Sequence, residues 1–326
     1  MVRRNCGGYC ALRKKLNLSR GAYFSTDLLL FKPAMRTAVI FGLDSSENDL
    51  RPFREDSNLD WIIGLPTNST DADAILIFGG DGTIHRHLSR LVQLQLPVLI
   101  VPCGSGNDFA RALQFPKKKT SLSAWKKFSS GGRNVGNIDL GVITSIPGRN
   151  APLHQYFCCV GGVGLDGEVA RRANQLPRWL RGHGGYLLSF PPALFDFRAV
   201  PMRLNVAIPG NPQHIVSRVE TPLVLTAFAN TPAYGGGMRI APHAELNDGK
   251  LDLCLLHNIN KLKLFCLFPS VYFGCHLGIE GVEYMQTTRL GIETKTPVDV
   301  YADGEYVCQT PIEVSIAPNA LRIIHP

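Results

Sequence analysis

Residues 71 to 83 read DADAILIFGGDGT, an apolar run that breaks abruptly into Gly79-Gly80-Asp81-Gly82-Thr83. Ala74 to Phe78 is apolar at every position, as in a strand buried on both faces. Beyond the glycines, Ile84, Leu88, Leu91 and Val92 share one helical face. The same grammar appears on either side. Thr37 to Gly42 (TAVIFG) is a short apolar strand stopped by Gly, Asp and Ser. Pro97 to Pro102 (PVLIVP) is another, followed by Gly104-Ser105-Gly106-Asn107 and a helical stretch through Leu113. Strand, glycine loop and helix, repeated, predict a parallel α/β sheet with crossover helices. Ligands of such sheets lie at the carboxyl ends of the strands, where both glycine loops fall.

Three glycines in four positions leave backbone N–H groups uncovered, so Gly79 to Thr83 can form an anion-binding nest at a helix N-terminus. An acid within such a nest repels phosphate unless a cation stands between them, so Asp81 points to Mg²⁺. No Gly-Lys-Ser/Thr follows, so this is not a Walker loop. The Ser105 hydroxyl and the Asn107 amide can donate to phosphate or ribose. A third glycine element, Tyr234-Gly235-Gly236-Gly237, would by itself be read as a flexible turn.

From about Ile138 the texture changes to a series of short β-rich segments: Gln155 to Val160, Met202 to Ile208, Pro222 to Ala229, Leu251 to Leu256, Val298 to Ala302 and Ile312 to Ile316. Several short strands with turns between them predict an antiparallel sandwich or barrel. Two helices interrupt it, Leu165 to Gln175 and Gly185 to Phe197, the second despite Pro191-Pro192. The boundary falls at the connection around Gly148-Arg149-Asn150, which gives an α/β domain over 36–145 and a β-sandwich domain over 146–326.

Of 326 residues 45% are hydrophobic and 18% charged, which excludes a disordered or fibrous chain. The net charge is +8, but Met1 to Arg36 holds eight Lys/Arg against Asp27 alone, so the remainder is nearly neutral. Nucleic-acid binders spread basic charge over a folded face, so no nucleic-acid partner is expected. Residues 1–35 read as a disordered basic leader without the apolar core of a secretory signal. Nine cysteines without paired CxxC spacing argue against disulfides and structural zinc, and fit a reducing, cytoplasmic setting. Arg178-Trp179-Leu180-Arg181 is a basic, aromatic tip of the kind that rests at a membrane interface or forms a solvated loop. Lys117-Lys118-Lys119 reads as a solvated helix end.

Six motifs, in order, carry a resemblance: GGDGT (79–83), PCGSGNDFAR (102–111), NIDLG (137–141), GVGLDGEVA (162–170), YGGGMRIAPHAELNDGKLDL (234–253) and ADGE (302–305). In order and spacing the chain resembles the diacylglycerol kinase catalytic-domain family, which includes bacterial multi-substrate lipid kinases and is related to sphingosine and ceramide kinases. The resemblance runs from Thr37 to the C-terminus. It implies a Rossmann-like nucleotide-binding domain, a C-terminal antiparallel β-sandwich domain and an active site in the cleft between them. It implies ATP bound by Gly79, Gly80, Asp81, Gly82 and Thr83, with Gly104, Ser105 and Asn107 on the other side. Asp303 would be the general base with Glu305 beside it, Asp81 would act on the Mg²⁺-bound phosphates, and Asp248 would be the carboxylate of a structural Mg²⁺ site. The implied reaction is transfer of the γ-phosphoryl group of ATP to a lipid hydroxyl, with diacylglycerol as the default acceptor and phosphatidic acid as product. Apolar residues for such an acceptor are available in Leu187, Leu188, Phe190, Leu194 and Phe195. The implied setting is cytoplasmic, with peripheral contact at the inner face of the membrane; the oligomeric state stays open, a homodimer among the options.

The chain departs from the family at several places, mildly at Ser105, where Thr is common and the hydroxyl is kept. His85-Arg86 stands where Asn-Glu is usual, and Phe41-Gly42-Leu43-Asp44 replaces an Asn-Pro and glycine-rich turn. Two alternatives therefore remain: an NAD kinase-like enzyme, which shares GGDGT, and a catalytically silent nucleotide- or lipid-binding homologue.

Overall fold

Four parallel-paired strands form the first layer: β1 (Met35–Phe41), β2 (Leu59–Ile63), β3 (Ala74–Gly79) and β4 (Val98–Pro102), with β1 between β2 and β3, and β4 on the far side of β3. The computed structural model describes residues 34–55, 59–146, 153–177 and 184–326; the leader up to residue 33, the connection at Gly148-Arg149-Asn150 and the Arg178–Arg181 tip lie outside these. β3 and β4 are buried at every position, as their unbroken apolar sequences require.

The helices of this layer are α1 (Glu47–Leu50), α2 (Asp81–Leu94), α3 (Asp108–Ala112) and α4 (Lys118–Ser129). Ile84, Leu88 and Leu91 are buried on α2 as the spacing predicts. Three elements of this layer, α1, β2 and α4, have no counterpart in the sequence analysis. β2 (LDWII) alternates weakly because it is an edge strand. α4 begins within the lysine run, where cations oppose the helix dipole. Its packing compensates: Trp125 is buried against Trp61, with ring centroids 5.9 Å apart, and Ser121 Oγ donates to the Ile100 carbonyl at 2.7 Å. Lys118 pairs with Asp49 at 2.6 Å.

The second half supplies β5 (Val135–Ser145), β6 (His154–Phe157), β7 (Val160–Gly164), α5 (Leu165–Gln175), α6 (Gly185–Asp196), β8 (Val200–Ile208), β9 (Asn211–Ala229), β10 (Leu251–His257), α7 (Lys261–Leu267), β11 (Val282–Thr287), β12 (Arg289–Thr294), β13 (Asp299–Ala302), β14 (Glu305–Gln309) and β15 (Ile312–Ile324). Its strand pairs are antiparallel. Phe157, Met202, Leu204, Phe228, Leu253 and Ile292 belong to its inner core. Burying each such side chain stabilises the fold by about 1.5–3 kcal/mol.

The last strand connects the halves. β15 runs antiparallel to β5 and then reaches β4 in parallel at Ile323↔Val98, so the chain returns to the first layer within its final residues. β5, which precedes the boundary placed at 145, takes its hydrogen-bond partners from β15 and β6. Ala34–Pro326 is one compact unit. Among the described residues no helix is long and apolar enough to cross a membrane.

Candidate active site

β3 and β4 end side by side, and their glycine loops touch backbone to backbone. A Cβ on Gly80 would stand 2.9 Å from the Gly104 Cα, and one on Gly79 would stand 2.7 Å from the Thr83 Cβ. The Cys103 N–H donates to the Gly79 carbonyl at 3.0 Å. Asn107, at φ 54°, accepts the Gly104 N–H at 2.9 Å, so its amide braces its own loop. Both Asp81 oxygens accept backbone N–H groups, from Asp108 and Phe109 at 3.0 Å each. Asp81 thereby locks the first loop onto the second. Burial, then the charge of Asp108, raise the Asp81 carboxyl to about 6, against the lowering effect of those two hydrogen bonds.

Asp303 approaches from the second half. Asp303-Gly304 is the two-residue turn between β13 and β14, with φ of 52° and 83°, as an Asp-Gly hairpin requires. Its Oδ2 accepts the Cys158 N–H at 2.9 Å and faces His85 Nδ1 at 2.9 Å; Oδ1 accepts the Cys159 N–H at 2.8 Å. The carboxylate is completely covered. Asn174 on α5 holds the turn through the Gly304 carbonyl at 2.8 Å. Glu305, next along, is exposed, and its Oε1 would meet a Cβ on Gly82 at 2.8 Å.

The third glycine element is tied from two sides. The Gly236 N–H donates to Asp108 Oδ2 at 2.8 Å, and the Tyr234 hydroxyl donates to Asp166. The elements enclose a cleft of about 550 Å³. Gly79, Gly80, Asp81, Gly82, Thr83, Gly104, Ser105, Asp303 and Glu305 all line it. Asn107 and Asp248 do not. The Asp248 carboxylate accepts the Lys250 N–H at 3.0 Å and lies 3.6 Å from the Lys250 ammonium. Arg86, Arg111, Tyr186 and Tyr234 also line the cleft, none of them a site residue by sequence alone. Arg86 Nε donates to the Gly82 carbonyl at 3.1 Å, so this departure brings a cation to the glycine loop. Arg111 and Tyr234 stood within quoted motifs; Tyr186 carried no local signal.

An apolar cavity of about 80 Å³ adjoins the cleft and shares Tyr186 and Tyr234 with it. Phe190 of α6, Leu264 and Leu267 of α7, and Phe268 line it, with Phe190 and Phe268 stacked at 3.7 Å. Of the apolar acceptor candidates on α6 only Phe190 faces this cavity; Leu194 is buried elsewhere, Leu187 lines the cleft, and Leu188 and Phe195 are exposed.

Two family descriptions match the chain: the diacylglycerol kinase catalytic domain over residues 62–142, and the YegS C-terminal NAD kinase beta sandwich-like domain over residues 160–325. A diacylglycerol kinase of Mycobacterium tuberculosis is 32% identical over 260 residues, covering 78% of this chain and 77% of its own. The chain belongs to the diacylglycerol kinase family. Membership makes it a lipid kinase, a transferase. A diacylglycerol kinase of Bacillus subtilis is 28% identical over 255 residues, covering 78% of this chain and 77% of its own. A crystal structure of a diacylglycerol kinase from Bacillus anthracis covers 90% of this chain and 98% of its own at a TM-score of 0.61 and 18% identity, which bears on fold alone. The family resemblance of the six motifs is thus borne out, as is the α/β domain followed by a β-sandwich.

Proposed function

We propose that this lipid kinase transfers the γ-phosphoryl group of ATP to the hydroxyl of a diacylglycerol, yielding phosphatidic acid and ADP. The observation that carries the reading is the shared wall of Tyr186 and Tyr234: a polar cleft bearing two glycine loops opens beside a narrow apolar cavity. The cleft has the volume for a nucleotide, and the cavity has room only for a slender apolar group.

Phosphoryl transfer needs positioning and charge neutralisation more than covalent help. The first N–H groups of α2, with Arg86 and Arg111, supply positive potential to the phosphates. Asp303 is the proposed base. Its Oδ2 is spent on His85 and Cys158, whereas Oδ1 has one N–H partner and one free lone pair. An acceptor hydroxyl that reaches Oδ1 gives up its proton there as its oxygen bonds to the γ-phosphorus and the bond to the β-phosphate oxygen breaks.

The fit to Mg²⁺ is poor for an all-protein cage. Both Asp81 oxygens are engaged by backbone, Asp248 stands beside an ammonium, and the one cluster of three His, Cys, Asp or Glu side chains among the described residues is Cys158, Cys159 and Asp303, which offers soft thiols. Mg²⁺ is proposed only as the counter-ion carried by the ATP phosphates, and no step above is routed through it.

Contact with a membrane is part of the same reading. α6 and α7, which line the apolar cavity inside, expose Leu188, Phe195, Leu262 and Phe265 outside, and Phe273 beyond them is 75% exposed. Lys261 and Lys263 on α7 suit anionic lipid at the cytoplasmic leaflet.

Incubation with radiolabelled ATP and diacylglycerol, sphingosine, ceramide, phosphatidylglycerol or NAD tests the reading. Label is expected in phosphatidic acid. Label in NAD alone, or in no acceptor while ATP binding persists, overturns it. Asp303→Asn is expected to lower turnover by at least about 100-fold with ATP affinity within a few-fold.

A further inference from the structure

His85 and Asp303 are 218 residues apart in sequence and 2.9 Å apart in space. His85 is buried in the second turn of α2, directly behind the glycine loop, and Asp303 is the tip of a hairpin from the other half. This pair joins the nucleotide loop to the proposed base through side chains. His85 Nε2 faces the Gln155 side-chain amide on β6 at 3.5 Å, and that same nitrogen of Gln155 donates to the Tyr156 carbonyl at 3.2 Å. An amide donor opposite Nε2 selects the tautomer in which Nε2 accepts and Nδ1–H donates to Asp303. The imidazole does not line the cleft, so it touches no substrate.

We propose that His85 is a positioning residue for Asp303: its Nδ1–H fixes the carboxylate alongside the Cys158 and Cys159 N–H groups, and the charge it carries decides how readily that carboxylate accepts a proton. The inference rests on the reading of Asp303 as the base. With Oδ2 occupied by His85, the free lone pair is confined to Oδ1, so the direction from which a hydroxyl must come is set. Neutral His85 leaves Asp303 a competent base. Imidazolium in its place stabilises the carboxylate anion and weakens it as a base.

The titratable and charged groups around this pair come from several elements: Asp81 and Arg86 on α2, Asp108 on α3, Cys158 and Cys159 on the link from β6 to β7, the neutral Tyr186 on α6 and Glu305 on β14, with the Gln155 amide on β6. Burial pulls the His85 pKa down, but the hydrogen bond and charge of Asp303, with Glu305, outweigh it and leave the group above its ordinary value. Burial holds the Cys158 and Cys159 thiols neutral, so they add no competing charge. Protonation also requires the Gln155 amide to turn over, because two donors cannot face each other.

The test is steady-state kinetics of the full chain on diacylglycerol in mixed micelles, from acid to alkaline pH, with His85→Ala, His85→Asn and Asp303→Asn. Asparagine places an amide donor near the Nδ1 position but cannot titrate. His85→Ala is expected to lower kcat by about 10- to 100-fold with the KM for ATP within about threefold. His85→Asn is expected to recover most of that rate and to lack the part of the wild-type fall in kcat expected as pH drops through the raised pKa of His85. An unchanged kcat and pH profile in His85→Ala, with Asp303→Asn inactive, overturns the role of His85 and leaves the base reading standing. Should His85→Ala not fold, a wild-type acid limb in His85→Asn overturns it equally. Full turnover in Asp303→Asn removes the base reading itself, and the role of His85 with it.

Discussion

Gly80 and Gly104 meet without side chains between them: a Cβ on Gly104 would stand 2.5 Å from the Gly80 Cα. Neither backbone yields without breaking hydrogen bonds, because Asp81 ties the first loop to α3 and Asn107 braces the second. The two loops act as one phosphate-facing surface only while this contact persists.

Gly104→Ala is therefore expected to push the loops apart, destabilise the fold by about 1–3 kcal/mol and weaken ATP binding by at least about tenfold. Gly82→Ala is the internal control. Its new methyl would meet only Glu305 Oε1, at 2.8 Å, the far end of an exposed side chain that can swing away. Its stability is expected to stay within about 0.5 kcal/mol of wild type. Thermal melts and nucleotide titration of both variants check this; equal damage from the two would show that the loop contact is not what matters.

Asp166 is buried, accepts the Tyr234 hydroxyl and has its carboxyl raised to about 6, burial being the cause and the tyrosine bond acting the other way. The folded pKa exceeds the unfolded one, so between about 4 and 6 the native state binds more protons and its stability falls as pH rises. Asp166→Asn is expected to lack this decline and, at pH 7, to be more stable than wild type by about 2–3 kcal/mol. Denaturant titrations at pH 4, 5, 6 and 7 give the answer; parallel stability curves for the two proteins would contradict it.

Leu262 of α7 and Phe273 are 64% and 75% exposed, and Phe265 stays half-exposed although its ring meets Phe195 at 6.1 Å. Replacing Leu262 and Phe273 with Asp is expected to reduce sedimentation with anionic vesicles severalfold and to leave turnover on a dispersed short-chain diacylglycerol within about twofold. Unaltered sedimentation would assign membrane contact to some other surface.

The sequence was most legible where geometry is local. The apolar runs of β3 and β4, the glycine loops after them and the Asp-Gly turn at residue 303 each declare their structure within a few residues, because strand burial and positive φ are properties of short segments. Motif order supplied the family. The reading ran out where a residue has two credible jobs. Asp81 invites a metal by composition, yet its oxygens face two N–H groups of α3. Asp108 and Asp139 sit in quoted motifs and turn out to bind the architecture together: Asp108 holds the Gly236 N–H, and Asp139 accepts the Gly249 and Asn319 N–H groups at 2.8 and 2.7 Å. β2 and α4 were missed because their apolar faces are set by packing on neighbours rather than by their own periodicity.

By itself the sequence determined the α/β start, the β-rich remainder, the family and the two glycine loops that line the cleft, since each follows from short-range pattern or from motifs read in order. Tertiary structure alone decided that His85 meets Asp303, that Oδ1 is the unoccupied edge of that carboxylate, that β15 returns to β4, and which apolar residues of α6 face a cavity and which face solvent. These are relations between segments far apart along the chain, and side-chain direction there depends on strand register and helix rotation, which no local pattern encodes.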